Sequence, residues 1–172
     1  ENFPEIPIEE EGRLNDPVLR ESFLKRVYAH YRLRKFFATE PRVGEIVQFH
    51  SKEKLLLLAH CQESYRHLGK MVSNPKSYEA QEFEEEYVHC FMKALGKKYC
   101  HKSHFNVIQH CFGYVKSDVT SDTKIHFLEV LNQYYQQMIP LSTILGVLES
   151  LISQHQVEYL KQQTFFSPYP RE

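Results

Sequence analysis

The sequence predicts an all-α protein, a single compact bundle of about seven to eight helices. Three observations carry that prediction. Apolar residues recur at steps of three and four through successive segments, and no stretch alternates with the period of two that a half-buried strand needs. The 172 residues include only 6 glycines and 8 prolines, too few for the many tight turns of an all-β chain. A chain of this length makes one domain and buries roughly 70% of its unfolded surface, enough for a core without metal or disulfide staples.

Residues 1–15 read as an extended lead-in: Pro4, Pro7, the acidic run Glu9 to Glu11, then Gly12. Residues 16–170 form the helical domain. Asp16-Pro17 marks the first helix start, a carboxylate N-cap followed by proline at the first helical position. This helix runs to about Ala38 with Leu19, Phe23, Val27, Tyr31 and Leu33 as its apolar stripe. Pro41 breaks the chain. A second helix covers Val43 to His60, with Ile46, Val47, Phe49, Leu56 and Leu57 in the core. The third, Gln62 to Val72, carries Tyr65, Leu68, Gly69 and Val72 and stops before Asn74-Pro75.

The fourth helix opens near Ser77, whose hydroxyl can cap it, and buries Phe83, Tyr87, Cys90, Phe91 and Leu95. Its early acidic run and its late Lys93, Lys97 and Lys98 suit the helix dipole. Lys102 to Lys116 forms a fifth helix, rich in histidine and aromatics. A sixth runs from Ser121-Asp122 to Met138. Pro140 then admits a seventh from Leu141 to Gln154, on a stripe of Leu141, Ile144, Leu145, Leu148, Leu151 and Ile152. A short eighth helix, Val157 to Gln163, precedes an aromatic tail.

Lys plus Arg number 21 against 22 Asp plus Glu, so a uniformly basic coat is excluded but a local basic face is not. Ser22 to Thr39 carries Lys25, Arg26, Arg32, Arg34 and Lys35 with no acid. Tyr87 to Ser117 adds Lys93, Lys97, Lys98, Lys102 and Lys116, four histidines and again no acid. Basic residues interleaved with Tyr and His suit structured RNA, where phosphates supply affinity and exposed bases stack. The competing reading is an ordinary solvated face.

Two constellations could carry chemistry. His50 and Lys54 lie four apart on one helix face, and Lys54 precedes a run of four leucines. The pair reads either as an anion site or as a solvated face with the lysine stem lying along apolar surface. In the second, Asn106 and His110 lie four apart, Gly113 follows on the same side, and Tyr114 offers a stacking surface. A glycine inside a helix costs about 1 kcal/mol relative to alanine, so it marks close approach by a ligand or by another helix.

Cys100, His101, His104, His110 and Cys111 offer metal donors, but at no metal-ligand spacing, so no metal is expected. The four cysteines include no C-x-x-C pair and read as reduced thiols of a cytoplasmic protein. The first sixteen residues are acidic and lack the apolar core of a signal peptide. Leu55 to Ala59, the most apolar run, is far shorter than the ~20 residues of a membrane span, so no membrane partner is expected. The chain begins at Glu1 without Met, which leaves room for a longer parent protein.

Taken in order, FHSKEKLLLLAH at 49–60, YRHLG at 65–69, HKSHFNVIQHCFGYVK at 101–116, PL at 140–141 and YLKQQTFFSPYP at 159–170 resemble the YbgA-type domain. The lead-in at 6–23 resembles the junction at which that domain follows a TudS-type desulfidase domain in longer bacterial proteins. Such fusions imply removal of sulfur from 4-thiouridine in tRNA. The iron–sulfur cluster would lie in the fused or partner TudS-type domain, with tRNA binding supplied by the YbgA-type domain. The matched positions are Phe49, His50, Lys54, His60, Gly69, His104, Asn106, His110, Gly113, Tyr114, Gln163 and Pro168. The sequence departs at Glu53, where an aromatic is common, and at Phe105, where Thr is common. It also departs at Tyr135-Gln136-Gln137, where a basic residue often follows the tyrosine.

The resulting expectation is an accessory tRNA-binding domain that is not itself an enzyme and holds no cofactor. Its RNA- or anion-binding residues would be His50, Lys54, His60, Lys102, His104, Asn106, His110, Tyr114, Arg32, Arg34 and Lys35. A protein-interaction or structural module without RNA binding, and a small-molecule enzyme using His and Lys, stand as alternatives. Each makes a different demand on the fold. RNA requires these groups on one open surface, an enzyme requires them around a pocket, and a structural module requires neither.

Overall fold

Four consecutive apolar residues, Leu55 to Leu58, point to every side of a helix, so that helix must be surrounded to bury them. The computed structural model, which describes residues 5–98 and 100–170, surrounds it in that way. Among the described residues there are eight α-helices: α1 (Pro17–Phe37), α2 (Val43–His60), α3 (Gln62–Ser73), α4 (Ala80–Leu95), α5 (His101–Gly113), α6 (Ser121–Tyr135), α7 (Leu141–Gln154) and α8 (Glu158–Lys161). There is no strand among the described residues. Helix α2 packs against α3, α4 and α5, and Leu55, Leu56, Leu57 and Ala59 are all buried. Helix α1 covers α4, while α5 continues the core onto α6 and α7.

Local chemistry fixes the helix ends. The Asp16 carboxylate accepts from the amides of Val18 and Leu19, with Pro17 at the first helical position, as the sequence predicts. The Glu45 carboxylate accepts the Arg42 amide and opens α2. Cys61 ends α2 and caps α3: its extended backbone breaks the helix, and its sulfur accepts the Ser64 amide at 3.4 Å. Stacked rings then tie the helices together, Phe36 on Phe49 between α1 and α2 and Phe112 on Phe127 between α5 and α6.

Several expectations are corrected. The buried side of α1 is Ala29, Leu33 and Phe37; Tyr31, two residues from Ala29 and Leu33, turns to the opposite face and is 58% exposed. Val47 is likewise exposed. Helix α4 starts at Ala80, because Ser77 lies in a 3-10 turn over Pro75–Ser77 and its hydroxyl accepts the Asn74 side-chain amide. Helix α6 stops at Tyr135, and Gln137 adopts a φ of 58°, a left-handed turn that closes the helix ahead of Pro140. The lead-in is not wholly extended. Glu11–Asn15 form a 3-10 turn against α1, and Glu5 meets His89 of α4 at 3.1 Å. Among the described residues no helix is long and apolar enough to cross a membrane.

Candidate nucleic-acid interface

Helical periodicity places Lys102, Asn106, His110 and Tyr114 in one row along α5 and its last turn, and all four are exposed. The row spans about 18 Å at a rise of 1.5 Å per residue. Gly113 belongs to the same side, and a Cβ built there would meet nothing within 4 Å. Among the described residues nothing is close enough to this glycine to require it for helix packing.

Because α2 lies against α5, Lys54 reaches the far end of the row. The Lys54 ammonium is 5.1 Å from the centroid of the Tyr159 ring. Tyr159 lies 5.3 Å from Tyr114, and Tyr114 meets His110 edge-on at 5.5 Å. One cation therefore heads a continuous chain of three rings. Burial pulls the Lys54 pKa down, but Tyr159, with Tyr65 and Tyr114 beyond it, more than offsets this and holds the ammonium above its ordinary value. The Tyr159 phenol is pushed up by burial, against the pull of Lys54. Its oxygen is buried without a well-formed hydrogen bond, so Lys54 acts on it as a nearby charge.

Other expected site residues face elsewhere. His50 does not share the Lys54 surface. Its ring is buried against Gly69, with Nδ1 2.9 Å from the Tyr87 hydroxyl, and burial followed by the Lys54 charge pushes its pKa down to about 4. Arg32 turns inward to Glu53 and the Pro168 carbonyl, so its guanidinium is committed to the fold rather than to a phosphate. Arg34 pairs with Glu84 at 3.3 Å on the surface, and the exposed Lys35 lies 5.8 Å from the Tyr31 ring. His60 and His104 stand edge-on at 5.5 Å between α2 and α5, each held at Nδ1 by a backbone carbonyl, of Leu56 and Cys100 respectively. Burial above all lowers their pKa values, to about 4 and about 3, so neither offers a cation to an anion at neutral pH.

The segment carrying this row and ring cluster is also the segment shared with other proteins. The model of a family described as a protein of unknown function (DUF1722) matches residues 54–170. This chain belongs to the DUF1722 family. Over 152 residues it is 24% identical to the uncharacterized protein YbgA of Escherichia coli (strain K12), covering 88% of this chain and 90% of that protein. No solved structure matches it.

The DUF1722 segment also contributes to an open cleft of about 860 Å³ between the start of α1, the α6–α7 connection and the C-terminal segment. Lys25, His60, His104, Leu145, Phe165 and Phe166 are among its lining residues. Sequence reasoning missed this cleft. Its walls come from distant parts of the chain, and only the histidines carried a visible signal. Among the described residues no three cysteine sulfurs lie within 4.8 Å of one another.

Proposed function

We propose that this domain is an accessory RNA-binding module that engages unpaired nucleotides of tRNA and presents them to a TudS-type desulfidase domain, in cis or in trans, in the cytoplasm. The observation that carries the reading is the chain Lys54–Tyr159–Tyr114–His110 at the end of the α5 row. A persistent cation can meet a phosphate while neighbouring rings accept a splayed base, and Lys102 and Asn106 extend the contact along the helix. The tRNA and desulfidase assignments rest on the family motifs; the surface chemistry supports RNA more broadly.

One observation favours a small-molecule enzyme instead, the cleft with neutral His60 and His104 in its wall. A single titration separates the two. The protein is titrated against unmodified tRNA, a single-stranded oligoribonucleotide and a DNA duplex by fluorescence anisotropy. Tighter binding of both RNAs than of the duplex, lost on Lys54→Ala and Tyr114→Ala, is the expected result. Equal affinity for all three, or no RNA binding at about 50 mM salt, where phosphate contacts are strongest, overturns it.

A further inference from the structure

We propose that His67, Glu86 and Cys90 form a surface site for a zinc-class divalent transition metal, with a remaining coordination position left to water. Helix α4 presents Glu86 and Cys90 one turn apart, and α3, packed against it, presents His67 across the groove. The His67 imidazole, the Glu86 carboxylate and the Cys90 sulfur bring their ligand atoms within 4.8 Å of one another. His67 Nε2 and Glu86 Oε1 are already 3.0 Å apart.

Metal–ligand bonds of about 2.0–2.3 Å in a tetrahedron put neighbouring donors roughly 3.3–3.7 Å apart. Small side-chain rotations would therefore close the site around an ion without moving either helix. The donor set selects the metal. One nitrogen, one carboxylate oxygen and one thiolate suit a borderline ion such as Zn²⁺, whereas Mg²⁺ and Ca²⁺ prefer oxygen alone.

The Cys90 sulfur has Ser64 beside it and Glu86 and Lys93 as charged neighbours. A dication would compensate Glu86 and the new thiolate together, while the thiol proton leaves to solvent. His67 and Glu86 are 48% and 46% exposed, so the ion has an open path. The ordinary alternative, a simple His–Glu ion pair, would leave Cys90 a bystander.

The test titrates the reduced protein with Co²⁺ and with Zn²⁺ against a chromophoric chelator. Binding of one ion per chain with a thiolate-to-cobalt charge-transfer band is expected, and Cys90→Ser should abolish the band. His67→Ala and Glu86→Gln should each weaken Zn²⁺ binding at least tenfold or so, the lower range for loss of a mere supporting partner. Zn²⁺ should also protect Cys90 from alkylation, read by mass spectrometry. Circular dichroism of each variant separates loss of a ligand from loss of the fold. A cobalt spectrum without the thiolate band, or Zn²⁺ binding equally well to the His67→Ala, Glu86→Gln, Cys90→Ser triple variant, overturns the proposal.

Discussion

Arg32 and Glu53 form a two-pronged ion pair, Nε to Oε1 at 2.8 Å and Nη2 to Oε2 at 3.1 Å, with the Glu53 side chain only 2% exposed. The remaining Arg32 prong donates to the Pro168 carbonyl, and Thr164 donates to Glu53 at 2.8 Å. Three distant segments thus meet at one carboxylate: α1, α2 and the C-terminal strap. Removing one partner of a buried pair leaves an uncompensated charge. Arg32→Ala should therefore destabilise the fold by about 3–5 kcal/mol. The Arg32→Ala, Glu53→Ala double variant should lose less than the two single losses summed. Urea unfolding measures both, and an Arg32→Ala midpoint equal to the parent's would mean that the strap is held by its apolar contacts alone.

A second expectation concerns acid. His50, His60 and His104 have folded pKa values of about 4, about 4 and about 3, below the ordinary 6.5 they regain on unfolding. Between those limits the unfolded chain binds more protons, so stability rises with pH. The stabilisation is complete above about pH 6.5 and is lost as pH falls toward 4, at up to about 1.4 kcal/mol per unit for each histidine. Unfolding free energies at pH 7, 6 and 5 should fall steadily. The same series in His60→Gln should have a shallower slope, whatever its absolute stability, and an unchanged slope would refute the assignment.

The cysteines should separate by alkylation rate. Cys100 is exposed and its thiol is lowered by Ser103 beside it, so it should react first. Cys61 is also lowered on balance: burial raises it, but the Lys97 ammonium at 3.0 Å and Ser64 outweigh that, and shielding should slow its reaction. Cys111, buried and pushed up to about 12, should react last. Timed iodoacetamide labelling with peptide mass spectrometry reads the order. Cys111 reacting before Cys100 would be incompatible with this packing.

What the sequence disclosed follows from which interactions are local. The bounds of α2 and α7 were legible because Pro41 and Pro140 mark their entries and their apolar residues recur at helical spacing. Part of the α5 row was legible because spacing alone puts Asn106, His110 and Gly113 on one side. The start of α4 was not, because Ser77 resembles a cap and only its side-chain bond from Asn74 shows otherwise. Tyr159 joined Lys54 unannounced, since residues far apart in sequence carry no shared period. Arg32 looked like a phosphate ligand for the same reason: its partner, Glu53, sits on another helix and reads in sequence as one more surface acid.

The last expectation distinguishes the two halves of the proposed RNA surface. Arg32 and Lys97 already have partners within the fold, whereas Lys102 is exposed on α5 and Lys54 lies over the Tyr159 ring. Some three to five phosphate contacts would give a log–log salt slope of roughly −2 to −4.5. Lys54→Ala and Lys102→Ala should each flatten that slope by about 0.7–0.9, because each releases one counterion fewer. Tyr114→Ala should leave the slope in place and cost about 1–3 kcal/mol of affinity, the range for one stacked base. Gly113→Ala serves as the geometric probe. Its new methyl meets open space in the free protein, so the fold should be untouched or slightly firmer, by about 0.4–1 kcal/mol. Any loss of RNA affinity must then come from the methyl meeting the ligand. Anisotropy titrations from 50 to 200 mM salt resolve these effects. If Tyr114→Ala and Gly113→Ala both bind RNA as the parent does while the lysine variants lose slope, the surface holds phosphates but reads no base, and the stacking part of the proposal fails.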